Sequence, residues 1–187
     1  MIWDDFLNSE WHDWRGSGKY EDRLLNPYQL QSFMNRHQFL VNLPLDQEDI
    51  KYLQQLRSFL KEFVQYIVAG GTSPGWRIEE LNRWMSEELV LRELHSNEEG
   101  NYTLSFRTMN PGLKGVAADI AASFATTLSE GESTRIRICD NPDCLWIYYD
   151  DTRNRSKRYC DDKMCGNLMK VRRFRAKKKL QSDTSDG

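Results

Sequence analysis

Two pairs of cysteines set the strongest constraint on how this 187-residue chain can fold. Cys139 and Cys144 lie in CDNPDC, Cys160 and Cys165 lie in CDDKMC, and the chain has no other cysteine. Both pairs have the same internal gap, and fifteen residues separate them. A tetrahedral ion accepts four thiolates at roughly 2.3 Å from whatever loops deliver them. Each short loop can aim two sulfurs at one point, and the segment between is long enough to run out and return. Two disulfides, or four unrelated buried thiols, are the alternatives. The N-terminus MIWDDFLNSEWHDW is acidic and lacks the basic region and apolar core of a secretory signal. The expected location is therefore the reducing cytoplasm, where paired cysteines read as metal ligands before crosslinks. One structural Zn2+ per chain is expected on Cys139, Cys144, Cys160 and Cys165.

A chain of this length, 39% hydrophobic and 12% aromatic, can fill one ordinary core and carry a small extra module. No apolar run approaches the roughly twenty residues of a bilayer crossing, so no membrane partner is expected. The net charge of −2 hides an uneven distribution. From Asp150 to Leu180 there are twelve basic and four acidic residues, a balance of plus eight, and the rest of the chain is correspondingly acidic. That asymmetry fits one module meeting a polyanion while the other does not; an ordinary solvated surface is the plainer alternative.

Along the chain, the first 25 residues mix Trp3, Trp11 and Trp14 with a polar turn at Arg15-Gly16-Ser17-Gly18. Asn26-Pro27 reads as the N-cap and first position of a helix with Leu30, Phe33 and Met34 inward. The clearest helix starts near Asp46: Ile50, Leu53, Leu56, Phe59, Leu60, Phe63, Val64 and Ile67 recur at threes and fours until Gly70-Gly71 stops it. Ser73-Pro74 opens another helix through Leu81 and Trp84. The period then changes, and residues 90–94 and 102–106 flank Asn97-Glu98-Glu99-Gly100 as a hairpin. Pro111 begins an alanine-rich helix with Val116, Ile120 and Phe124 on one face, ended by Gly131.

Residues 135–138 alternate and form a strand entering the first cysteine pair, where Asn141-Pro142-Asp143 supplies the turn of a knuckle. Residues 145–149 are a strand by composition, and Lys157-Arg158-Tyr159 returns toward Cys160 after a polar turn. Cys160 and Cys165 cannot share a helix face, because five residues rotate about 500°, leaving them about 140° apart. Cys160 should precede a helix and Cys165 lie in its first turn, where the positive helix end favours a thiolate. That helix, from about Met164 to Leu180, would turn Val171 and Phe174 inward. Lys170, Arg173 and Lys177 flank them on one side, and Arg172, Arg175 and Lys179 on the other. Two basic rows suit phosphate contacts. The expected fold class is α+β: a mainly helical domain with a small β-hairpin over residues 1–130, a treble-clef-like zinc finger with four cysteine ligands over 134–181, and a frayed tail over 182–187.

CDNPDCLWIYYDDTRNRSKRYCDDKMCGN followed by KVRRFRAKK resembles the CGNR-type zinc finger found at the C-terminus of bacterial transcription regulators. Asp5-Phe6-Leu7-Asn8-Ser9 resembles the D-F-x-N-T signature that opens the ABATE domain of the same proteins, and Glu21-Asp22-Arg23-Leu24-Leu25 resembles the D-x-L segment after it. The resemblance implies that the four cysteines bind zinc and that the finger binds DNA. The chain departs from it once, with Leu168 where the eponymous motif ends in arginine; any role of that arginine is absent or passes to Lys170.

The leading expectation is thus a regulator that binds double-stranded DNA through Arg153, Arg155, Lys157, Arg158, Lys170, Arg172, Arg173, Arg175 and Lys177. Its N-terminal domain would sense a small molecule or mediate homodimerisation, with Asn8, Trp11, His12, Asp22 and Arg23 as pocket residues. A zinc-stapled module docking an acidic protein or RNA is the alternative. Catalysis is not expected, because a closed site of four thiolates leaves zinc no open position and His12, His37 and His95 are scattered.

Overall fold

The computed structural model describes residues 1–71, 75–109 and 112–183. It opens with a short helix, α1 (Ile2–Leu7), and a small antiparallel pair, β1 (Glu10–His12) with β2 (Tyr20–Asp22). Helices α2 (Pro27–Arg36), α3 (Gln47–Val68) and α4 (Gly75–Met85) follow. The hairpin β3 (Val90–Ser96) and β4 (Tyr102–Thr108) precedes α5 (Leu113–Glu130). The Asn26 side chain accepts from the Tyr28 and Gln29 amides with Pro27 in the first turn, as the sequence predicts. Asp46 caps α3 and shares a reciprocal capping box with Asp49, and Gly70 leaves the helix at φ +81°. The hairpin register pairs Arg92 with Phe106 and Leu94 with Leu104. The helix starts expected at Ser73-Pro74 and Pro111, and the tail end at 184–187, lie outside the described residues.

The core sits where α1, α3 and α5 meet. Trp3, Phe6, Leu53, Leu60, Phe63, Ile120 and Phe124 are fully buried. Phe124 takes Trp3 and Phe63 edge-on, with ring centroids 5.3 and 5.4 Å away. The heptad-like spacing of α3 and the alanines of α5 allow this close approach.

The finger contains β5 (Ile136–Ile138), β6 (Ile147–Tyr149) and α6 (Asn167–Asp183). β5 pairs with β6, Ile138 opposite Ile147. The sequence predicts a different hairpin, made of the 145–149 strand and a return through residues 157–159. The structure puts the knuckle itself at the hairpin turn, because CDNPDC reverses the chain and the Cys139 amide closes on the Trp146 carbonyl at 2.8 Å. Residues 157–159 carry no strand and are held by side chains instead. Buried Asp150 accepts from the Thr152 and Lys157 amides, and the Tyr148 hydroxyl donates to the Lys157 carbonyl.

The helical core extends past the expected boundary near residues 131–134. Ile136 and Ile147, 1% and 3% exposed, belong to the helical core, with β5 against α3. Asn8 makes the join polar as well, donating to the Ile147 carbonyl at 2.7 Å and accepting from its amide at 2.9 Å.

Candidate metal centre and basic helix

The knuckle positions its two sulfurs through Asn141, which is fully buried. Its Oδ1 accepts from the Asp143 amide, its carbonyl accepts from the Cys144 amide at 2.9 Å, and its Nδ2 donates to the Trp14 carbonyl at 2.8 Å. The second loop starts at Asp161, whose carboxylate accepts from the Met164 amide at 2.7 Å. One π-helical turn, Asp162–Gly166, then leads into α6 with Cys165 on it. Cys160 therefore lies before the helix and Cys165 in its opening turn, as the rotation argument requires. The two loops are tied together by the Asp140 amide donating to the Arg158 carbonyl and by the Arg158–Asp140 ion pair at 2.7 Å.

All four Sγ atoms lie within 4.8 Å of one another, with Cys144 to Cys160 at 3.6 Å and Cys160 to Cys165 at 3.8 Å. A tetrahedron of Zn–S bonds near 2.3 Å has edges of about 3.8 Å, so the thiols fit one Zn2+. No disulfide joins them. Two N–H groups point at sulfur, the Cys160 amide at Cys139 and Asn141 Nδ2 at Cys165, as expected around bound thiolates. Hydrogen bonds from Cys144 and Cys160 hold the Cys139 thiol far below its usual range, while the same bonds push Cys144 and Cys160 up. Clustered thiols cannot all ionise unaided, and a dication removes that conflict. Tyr148 and Tyr159 pack over the site and shield it. Four thiolates close the coordination sphere, so the zinc is structural.

The basic residues divide into two groups. Arg172 reaches back from α6 to Asp143 at 2.5 Å and to the Arg15 carbonyl at 2.9 Å. Gly16, at φ +88°, passes so close that a Cβ there would sit 2.7 Å from the Arg172 guanidinium. Arg155 pairs with Glu132, Arg158 with Asp140, and Arg173 donates to the Tyr159 hydroxyl and the Met169 carbonyl. Lys157 lies 5.1 Å from the centroid of the Tyr148 ring. These five hold the finger together. Arg153, Lys170, Arg175 and Lys177 are exposed and make no ion pair among the described residues.

The inward stripe expected on α6 is overturned: Val171 is 45% exposed and Phe174 69% exposed. The metal loop and the Arg172–Asp143 pair fix the helix's rotation, turning Met169 toward the cysteines and leaving Val171 and Phe174 on the far side. Beyond its first turns α6 has no core to bury them against. Leu168, at the family's arginine position, is half-buried, and Lys170 is exposed.

The residues expected to line a pocket, Asn8, Trp11, His12, Asp22 and Arg23, have partners within the protein. Asn8 is used on β6. Asp22 forms a bidentate pair with buried Arg57 at 2.7 and 2.6 Å and accepts from Gln54. Burial pushes the Asp22 carboxyl up, but Arg57 outweighs it and holds the group below the usual range. His12 contacts Glu10 and Tyr20, and Arg23 lies over Trp11. Charge pairs within a short hairpin read like ligand groups in sequence. Asn141 is a site residue that the sequence does not single out. It is visible only as turn chemistry.

A helical domain fused to a closed four-thiolate module defines a zinc-finger protein. Residues 135–178 match the CGNR zinc finger, and residues 2–131 match ABATE, described as "Putative stress-induced transcription regulator". The chain belongs to the ABATE family and carries a CGNR zinc finger after it. No curated protein matches it. Among the described residues, no helix is long and apolar enough to cross a membrane.

Proposed function

We propose that the protein is a cytoplasmic transcription regulator that binds duplex DNA through the outward face of α6, with the N-terminal domain as the part that receives a signal. One observation carries this reading. At 100° per residue, Lys170, Arg175 and Lys177 surround Val171 and Phe174 on the side of α6 turned away from the zinc. None of the three cations is neutralised by a carboxylate among the described residues. Unpaired cations on a metal-fixed helix offer phosphate affinity without prior desolvation or bond breaking. Arg155, Arg158 and Arg172 fit a structural role better, since each would have to leave an acidic partner to reach DNA. The closed thiolate site favours a binding protein over an enzyme.

The test is fluorescence anisotropy with labelled duplex DNA across a salt series. Replacing Lys170, Arg175 and Lys177 together with alanine should flatten the slope of log affinity against log salt by up to about 2.7. Unchanged affinity and slope would remove α6 from the interface. A zinc-stapled protein-docking module is the second reading, favoured by the exposed Phe174 and Val171, which an apolar protein groove would cover better than a phosphate backbone.

A further inference from the structure

A cavity of about 840 Å3 lies between α5, the hairpin β3–β4 and the segment after α2. Its size falls within the range of small-molecule sites. Phe39, Leu40, Met85, Val90, Phe106 and Val116 form its apolar wall. Several of these are uncovered in the folded chain, with Leu40 and Phe106 70% and 61% exposed. Asp119 enters the same cavity from α5, between buried Ala118 and Ile120. Among the described residues its carboxylate has no hydrogen bond and no ion pair. The other charged groups lining the space are Glu93 and Arg92 of β3 and His37, which is occupied by Asp5 at 2.8 Å.

We infer that this cavity is a binding site for an amphipathic organic cation, whose ammonium pairs with Asp119 while its apolar body covers the wall. A half-buried carboxylate without a partner is unfavourable, and burial alone pushes its carboxyl up to about 6. A ligand ammonium supplies the missing charge-assisted bond, and a neutral hydroxyl supplies a weaker one. Arg92 is exposed and screened, so the half-buried Asp119 carboxylate decides the sign of the ligand charge. The inference rests on the N-terminal domain being the part that receives a signal. It is independent of whether the finger binds DNA.

The test uses the full zinc-loaded chain in isothermal titration calorimetry, without DNA. The probes are 4-phenylbutylamine, 4-phenylbutanol and 4-phenylbutanoate at pH 7.5. The amine should bind about tenfold more tightly than the alcohol, and the carboxylate weakest. Asp119→Asn should erase the amine's advantage and leave the alcohol unchanged. Phe106→Ala, at an exposed hairpin position that leaves the core intact, should weaken amine and alcohol alike by severalfold. Absent amine binding, a preference for the carboxylate, or an amine advantage that survives Asp119→Asn would overturn the proposal. So would affinities indifferent to Phe106→Ala. Amine binding in a protein that fails the anisotropy test would sustain the site and sink the DNA reading.

Discussion

The helical region and the finger are stabilised by different means. The first buries large apolar side chains, with Trp3, Phe63 and Phe124 interlocked at its centre. The second has only thiols and the rings of Tyr148 and Tyr159 around its own centre. Its two best-buried aliphatic residues, Ile136 and Ile147, are given to the helical core. A module this small has too little apolar surface to fold unaided, and the metal replaces the missing core. The finger is thus divided. Its hairpin belongs energetically to α1 and α3, its loops belong to zinc, and α6 beyond the first turns belongs to neither.

Four substitutions would break or sharpen that contrast. Cys139→Ser has the largest expected effect, since structural zinc in small fingers supplies on the order of 10 kcal/mol of folding free energy. Zinc content should fall from one per chain to none by elemental analysis, with the loops unfolding and α1 to α5 retained by circular dichroism. Ile147→Ala comes next. Although the residue lies in the finger, chemical denaturation should show the whole chain losing about 2–4 kcal/mol, the cost of a core cavity. A loss confined to the finger would mean that the hairpin is not part of the helical core.

Asp119→Asn tests a weakness that lies only in the helical region. The folded carboxyl titrates near 6, above its ordinary 3.8. Folding therefore favours the protonated form. The group costs nothing below its ordinary range, and the cost accumulates as pH rises to about 6. The full shift corresponds to about 3 kcal/mol, which partial solvent access reduces to about 1–2 kcal/mol. The variant should be more stable than the parent by that amount at pH 7.5, with the difference vanishing as pH falls below the carboxyl's ordinary 3.8. The smallest effect belongs to Phe174→Ala. Despite the size of the ring, its 69% exposure confines the change in stability to about 0.5 kcal/mol. A large loss in thermal melting would show that α6 packs onto the protein after all.

The same division explains what the sequence reveals. Helices α2 and α3 are legible because cap, period and stop coincide: Asn26-Pro27, Asp46 and Gly70 each do in the structure what their chemistry predicts. The cysteine ligands are legible because spacing alone restricts what four thiols can do. α1, β1 and β2 span too few residues for any period to emerge. The orientation of α6 is illegible because Val171 and Phe174 repeat at helical spacing whether or not anything lies opposite them. The internal roles of Asp22 and Asn8 are hidden for a related reason: their partners, Arg57 and Ile147, are distant in sequence. Asp119 is a carboxylate on an alanine-rich helix, and only the fold shows the cavity beside it.

Hydrogen–deuterium exchange on the zinc-loaded and chelated chain tests most directly whether metal and core hold different parts. Chelation should strip protection from the amides of residues 139–146 and 158–166, while α3 and α5 keep theirs. Equal loss across both regions, or unchanged protection around the cysteines, would contradict that division.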